Sequence, residues 1–121
     1  MERKVIDGMF ERTVYYDKPL KYCPYGSCGT IERSNGSVYL KSYSTFVLCL
    51  TSDGWLQCSG IYSRTTIKHI GAWLKEYAPG VSYYTAKQCY TDGKAYNIHT
   101  GEFKDLENIL NPDIYGFYSV A

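Results

Sequence analysis

The residues most able to do chemistry in this chain are its cysteines and histidines. Cys23 and Cys28 are separated by four residues in the turn-rich stretch 19–29, which is the outer limit of the spacing in structural zinc sites. A complete site needs two more ligands, and the other candidates form no second close pair: Cys49, Cys58, His69, Cys89 and His99. The sequence therefore predicts no metal site and no cofactor. A zinc-stabilised module built on Cys23 and Cys28 stays as the third of three hypotheses.

Nucleophilic catalysis would need a cysteine beside a histidine base, and two combinations offer these residue types: Cys58 with His69, and Cys89 with His99. Neither combination lies in a local signature that would bring the base within hydrogen-bond reach of the thiol. The carboxylates are scattered and the glycines occur singly in turns, so neither acid–base chemistry by paired carboxylates nor a phosphate-binding loop is indicated. The sequence predicts that the protein is not an enzyme and has no catalytic residues.

A mixed aromatic and basic surface is the best remaining candidate for a binding site. We predict six contact residues, three on one strand face and three on the solvent side of one helix: Tyr39, Lys41, Tyr43, Arg64, Lys68 and Lys75. Such combinations suit the backbone and bases of a nucleic acid, or an acidic protein surface. The alternative is a solvated helix face beside tyrosines that only cover a sheet.

The size and composition of the chain restrict the broad class of protein. Its 121 residues predict a single domain over 1–121, and a net charge of +1 argues against a strongly basic nucleic-acid binder or a polyanion mimic. The 14 tyrosines suit half-buried positions and contact surfaces equally well. The N-terminal segment lacks the apolar stretch of a signal peptide, and no apolar run is long enough to span a bilayer. Five cysteines, an odd number, are typical of reduced thiols and predict a cytoplasmic location.

The elements that must position these residues follow from local patterns. Ser63 is a typical N-cap, an apolar stripe at helical spacing runs over Arg64–Tyr77, and Pro79-Gly80 ends the helix. Turn signals predict hairpins before this helix, over 30–33 with 37–43 and over 45–51 with 55–60, with 45–51 as a central strand. After it, strands are predicted over 81–90, with Tyr83, Thr85 and Lys87 on one face, and over 94–99.

Three further segments are predicted from weaker patterns: a strand over 9–16, a short helix over 103–110 and a last strand over 114–120. The predicted class is α+β, with a mostly antiparallel sheet, one main amphipathic helix and the order β-β-β-β-α-β-β.

A longer pattern covers about half of the chain. It reads Y-G-S-x-G-T from Tyr25, S-Y-x-T-x-V from Ser42, G-x-Y-S-x-T-T-x-x-H-I from Gly60 and L-x-E-Y from Leu74. This pattern resembles an uncharacterised family of small proteins encoded by phages and mobile elements of Gram-positive bacteria. The resemblance implies a genetic setting and no chemistry. Small proteins of that setting often act by stoichiometric binding, including anti-CRISPR-like inhibition of host defences.

These observations lead to two main functional hypotheses. The first is a small protein that binds a host protein and inhibits a defence nuclease such as a CRISPR–Cas effector. The second is a nucleic-acid-binding accessory or regulatory protein that uses the tyrosine and lysine face of the sheet and the basic side of the helix. The two differ in salt dependence, because nucleic-acid binding weakens steeply as salt rises.

Overall fold

A computed structural model describes residues 1–106, 112–118 and 120. The elements follow in this order: β1 (Glu2–Asp7), β2 (Phe10–Tyr15), β3 (Cys28–Glu32), β4 (Val38–Ser42), β5 (Thr45–Leu50), β6 (Trp55–Cys58), α1 (Arg64–Tyr77), α2 (Tyr83–Asp92), β7 (Lys94–Asn97) and β8 (Phe103–Asp105). Strands β1 and β2 pair as a separate antiparallel hairpin, and β3 to β8 form one antiparallel sheet in chain order. The α+β class with antiparallel pairing is therefore confirmed.

The sheet is covered on both faces, which explains why β5 is apolar on both sides. Leu40 and Leu48 belong to the cluster that packs against α1, whereas Tyr39 and Cys49 belong to a second cluster with Phe117. A bulge between β4 and β5 shifts the register, pairing Leu40 with Leu48 but Lys41 with Phe46. As a result Phe46 packs with Tyr39, whereas Leu48 and Leu50 of the same strand belong to the cluster against α1.

Helix α1 has the predicted bounds because its local signals agree with its packing. The Ser63 side-chain oxygen accepts a hydrogen bond from the Thr66 amide at 3.1 Å, and the backbone amide of Ala78 closes the last turn. Ile70 and Trp73 are fully buried against the sheet. Burying an aliphatic side chain of this size contributes roughly 1.5–3 kcal/mol, so packing holds the helix in place.

The predicted strand over 81–90 is wrong, because residues 83–92 form α2. Gly93 ends this helix in the left-handed conformation, with φ of 63°. Ala86 and Cys89 are its buried residues, and the Cys89 thiol lies 3.8 Å from the carbonyl oxygen of Leu56 in β6. Tyr83, Thr85 and Lys87 therefore do not share a strand face. The observed order has two helices and differs from β-β-β-β-α-β-β.

The predictions for the two ends of the chain are only partly confirmed. Residues 9–16 contain the predicted strand, β2, but its partner β1 was not predicted. Phe103–Asp105 is strand β8 and not the start of a helix, while 107–110 lie outside the described residues. Asp113 accepts backbone hydrogen bonds from Tyr115 and Phe117, so the predicted strand over 114–120 begins as a turn. Of that segment, residue 119 is not described.

Over the residues that the structure describes, neither α1 nor α2 has the length and apolar composition to cross a bilayer.

Candidate functional site

Two cysteine thiols are brought together by a tight loop before the main sheet. The amide of Cys23 donates to the carbonyl of Leu20 at 3.3 Å, and the amide of Gly26 donates to the carbonyl of Cys23 at 3.3 Å. Cys28 is the first residue of β3 and pairs with Ser42 of β4. The loop therefore turns back on itself, and its second thiol is held in position by the edge of the sheet.

His69 is the third member of this cluster. Its side chain on α1 is 2% exposed, and Nε2 lies close to the loop at Gly26. One ligand atom from each of Cys23, Cys28 and His69 lies within 4.8 Å of the other two. The sequence offers no second close pair of ligands for Cys23 and Cys28, and the fold brings one further candidate, His69, to them. The available signal was helical spacing, since 69 falls between the buried positions 66 and 73 of the same stripe.

Gly26 allows the loop to lie directly over these three side chains. A β-carbon at this position would be 2.6 Å from the Cys23 sulfur, 3.2 Å from the Cys28 sulfur and 3.4 Å from Nε2 of His69. A side chain would thus occupy the space between the three groups. The guanidinium of Arg3 holds the outer side of the loop by donating to the carbonyls of Gly26 and Pro24.

The orientation of the His69 ring is set by Ser42. The Ser42 hydroxyl and Nδ1 of His69 are 2.9 Å apart, and both residues are buried. With Nδ1 occupied by this hydrogen bond, Nε2 is the nitrogen that faces the thiols. Burial lowers the pKa of His69 to about 4, and the nearby charge of Lys68 acts in the same direction. The imidazole is therefore neutral near pH 7 and has a lone pair available.

The Cys28 thiol responds to opposing influences. Burial raises its pKa most strongly, and the neighbouring Cys23 adds to this effect. The charges of Arg3 and Lys68 act the other way. Two sulfurs and a neutral imidazole nitrogen in this arrangement form a donor set of the kind that binds thiophilic metal ions.

The three basic residues predicted on α1 do lie together on its exposed side. Arg64, Lys68 and Lys75 are all exposed and follow one another at spacings of four and seven residues. The Nζ atom of Lys75 lies 4.4 Å from the ring centroid of Tyr22, which comes just before the cysteine loop. Tyr25, within that loop, is 94% exposed. These five residues are called the basic helix surface below. The prediction missed its two tyrosines, because only the fold places their loop beside α1.

The three contact residues predicted on the sheet do not form an exposed face. Tyr39 is 1% exposed, and its hydroxyl donates to the Asp113 carboxylate at 2.7 Å, so it is not available to a ligand. Lys41 is half-buried, with Nζ 5.2 Å from the centroid of Phe46, and burial lowers its pKa. Tyr43 lies beyond the end of β4 with a φ of 53°, which turns it away from the strand. The chain direction changes there, so the alternation of a strand no longer applies.

Neither cysteine–histidine combination considered from the sequence is built around a hydrogen bond between the two. The Cys58 thiol lies 3.6 Å from the carbonyl oxygen of Gly60, and the Cys89 thiol is next to the carbonyl of Leu56. His99 is placed against the β5–β6 turn, where a β-carbon on Gly54 would be 2.5 Å from its ring.

Comparison with known proteins places this chain in a sequence family. A family model described as a family of unknown function, DUF8033, matches residues 18–92. The match is more than half of the chain, and it includes the cysteine loop and both helices. No curated protein and no solved structure matches the sequence.

Proposed function

We propose that this chain, which belongs to the DUF8033 family, acts by stoichiometric binding to an acidic surface of another protein and not by catalysis. The contact region is the basic helix surface. The observation that carries the proposal is the exposed row of cations on α1 beside exposed tyrosines. Inhibition of a host defence nuclease is the specific form of this activity that the resemblance in sequence suggests.

The cations of this surface are available for an external partner. Arg64, Lys68 and Lys75 are exposed, and none of them is in a salt bridge with a carboxylate among the side chains that the structure describes. Complementary carboxylates on a partner would speed association and fix its orientation. Each exposed ion pair contributes roughly 0.2–1 kcal/mol, so three pairs add affinity without needing a buried charge.

The tyrosines supply contact area next to these charges. Tyr25 is 94% exposed and Tyr22 is 44% exposed. Tyrosine is enriched at protein interfaces because its ring covers a large area with few rotatable bonds. The Nζ atom of Lys75 lies over the Tyr22 ring, so the loop and the helix present one continuous surface.

The raised pKa values of three thiols outside the cysteine loop argue against nucleophilic catalysis by them. Burial raises the pKa of Cys49 and Cys89 to about 12 and that of Cys58 to about 11. The thiolate is the nucleophile, and these three groups remain protonated at neutral pH.

Nucleic-acid binding is the second candidate, and it is supported by the same cations. This hypothesis also relied on an exposed tyrosine and lysine face of the sheet. Tyr39 is buried and Lys41 is partly buried, so that face is not available to a nucleic acid. The ring of Tyr22 is also in contact with Lys75, which leaves Tyr25 as the freely exposed ring on this surface. The geometry therefore favours a protein partner.

The test is affinity capture from a host lysate with a variant in which Arg64, Lys68 and Lys75 are all replaced by alanine. A control variant removes three exposed cations elsewhere: Lys4, Arg12 and Lys87. A partner that survives nuclease treatment should bind the first variant roughly 3- to 100-fold more weakly, from the energy of three exposed pairs. The control should bind like the unmodified chain.

Two outcomes would contradict this proposal. Equal binding by the two variants would remove the basic helix surface as the contact region. Loss of every captured partner on nuclease treatment, together with direct binding to DNA or RNA that falls steeply with salt, would establish the second candidate instead.

A further inference from the structure

We propose that Cys23, Cys28 and His69 bind one zinc ion through their two sulfurs and Nε2, with solvent in the fourth position. The metal would join the cysteine loop to α1. This inference does not depend on the basic helix surface and goes beyond the binding function proposed for it.

The distances suit a tetrahedral zinc ion. With Zn–S of about 2.3 Å and Zn–N of about 2.0 Å, ligand atoms in a tetrahedral site are separated by roughly 3.5–3.8 Å. One ligand atom of each residue already lies within 4.8 Å of the other two, and Nε2 is the His69 nitrogen that surrounds Gly26 together with the two sulfurs. Side-chain adjustments of about 1 Å or less, with no movement of the strands or of α1, would complete the geometry.

The loop is shaped around the cluster. Gly26 crosses it so closely that a β-carbon would contact both sulfurs and the imidazole nitrogen. Arg3 anchors the loop in this position through the carbonyls of Gly26 and Pro24. Because Gly26 has no side chain at the point of closest approach, and Arg3 holds the loop there, room is left for an ion where a side chain would otherwise lie.

The second ring nitrogen of His69 has a hydrogen-bond partner, as it has in metal-binding histidines. The Ser42 hydroxyl lies 2.9 Å from Nδ1, and its oxygen can accept a hydrogen bond from Nδ1–H, so that Nε2 presents its lone pair to the metal. In metal centres such a contact holds the tautomer and the ring orientation. This contact is buried, and it comes from β4, so the sheet positions the ligand that α1 carries.

Two sulfur donors and one imidazole select zinc over calcium or magnesium, which prefer oxygen ligands. On binding, each thiol gives its proton to solvent and the two thiolates balance the charge of Zn²⁺. The ion would connect three parts of the chain: the loop at Cys23, the start of β3 at Cys28 and the middle of α1 at His69.

The experiment uses the full, untagged chain, stripped of metal under reducing conditions, reloaded with zinc and desalted. Elemental analysis should find one zinc per chain. Cys28→Ser and His69→Asn should lower zinc affinity more than about 100-fold, because even the loss of a residue that only orients a metal ligand costs about 10- to 100-fold. His69→Asn is chosen because its side-chain amide can still reach Ser42 while Nε2 is removed. Cys58→Ser is the control, since Cys58 lies outside the cluster.

Cobalt provides a second measurement that does not need a folded variant. In the unmodified chain, Co²⁺ should give a thiolate-to-metal charge-transfer band and the strong visible bands of a tetrahedral site. The weak visible bands of an octahedral ion, or less than one zinc per chain after desalting, would overturn the proposal. Equal zinc retention by Cys28→Ser and Cys58→Ser would overturn it as well. The triple alanine variant of the basic helix surface should retain its zinc, so the failure of either proposal is visible without the other.

Discussion

The buried contact between Ser42 and His69 should contribute measurably to stability even without metal. Ser42 is 3% exposed, His69 is 2% exposed, and 2.9 Å separates the hydroxyl from Nδ1. Ser42→Ala removes the hydroxyl and leaves the buried ring nitrogen without this partner. An unsatisfied buried polar group costs about 1–3 kcal/mol, and because only one oxygen is lost there is little cavity to add. We expect the free energy of unfolding to fall by this amount.

The assay is urea unfolding of the chelator-treated chain, followed by circular dichroism and by tryptophan fluorescence. In a thermal unfolding experiment on a chain of this length, a loss of 1 kcal/mol in the free energy of unfolding would correspond to a fall in Tm of about 3–5 °C. Ser59→Ala is the matched control, because the Ser59 hydroxyl also makes one hydrogen bond, donating to the carbonyl of Phe46 at 2.7 Å, but is exposed. Water replaces that bond, so the control should change stability by less than about 0.5 kcal/mol.

The reasoning would be refuted if the two alanine variants unfolded at the same urea concentration. That result would mean that water reaches Nδ1 of His69 or that the ring adopts another orientation. A change in the slope of the unfolding transition would point instead to an altered unfolded state. With zinc present, Ser42→Ala should also weaken metal affinity by about 10- to 100-fold, as expected of a positioning residue.

Two further predictions concern packing and thiol chemistry. Gly29→Ala should destabilise the chain by about 3 kcal/mol or more, because its β-carbon would lie 2.5 Å from the buried Tyr16 side chain. The β-carbon of Gly71→Ala would meet nothing within 4 Å at an exposed helix position, so this variant should be more stable by up to about 1 kcal/mol. Thermal unfolding of both variants tests this, and equal shifts in Tm would contradict it. Since burial raises the pKa of Cys49 and Cys89 to about 12, iodoacetamide at pH 8 should alkylate them in the native chain at least about 10³-fold more slowly than in urea. Rates measured by mass spectrometry that match those of free cysteine would show that these thiols are accessible and ionised.

The sequence alone determined the elements whose signals are local. Helix α1 has a capping serine, a buried stripe and a proline–glycine stop within one short segment, and its bounds were predicted correctly. The hairpins around residues 34–36 and 52–54 were found because their turn residues lie between two β-rich runs. The exposure of Arg64, Lys68 and Lys75 followed from the same helical spacing.

The same local reasoning failed where packing competes with propensity. The tyrosine-rich segment 83–92 has the composition of a strand, but Ala86 and Cys89 are small enough to let it pack as a helix against β6. The bulge between β4 and β5 changed which face Phe46 occupies, and no residue type in that segment predicts the bulge. Tyr39 became a core residue because the distant Phe117 and Asp113 cover it.

Only the tertiary structure decided the candidate metal site. Cys23 and Cys28 are near each other in sequence, but His69 is on a helix that follows four strands of the sheet along the chain. Sequence spacing reports neighbours along one element, whereas a ligand set depends on which elements pack together. The sheet supplies Ser42, the helix supplies His69 and the loop supplies the two thiols. Their convergence arises from burial of the apolar face of α1 on β4 and β5, which carries His69 to the loop.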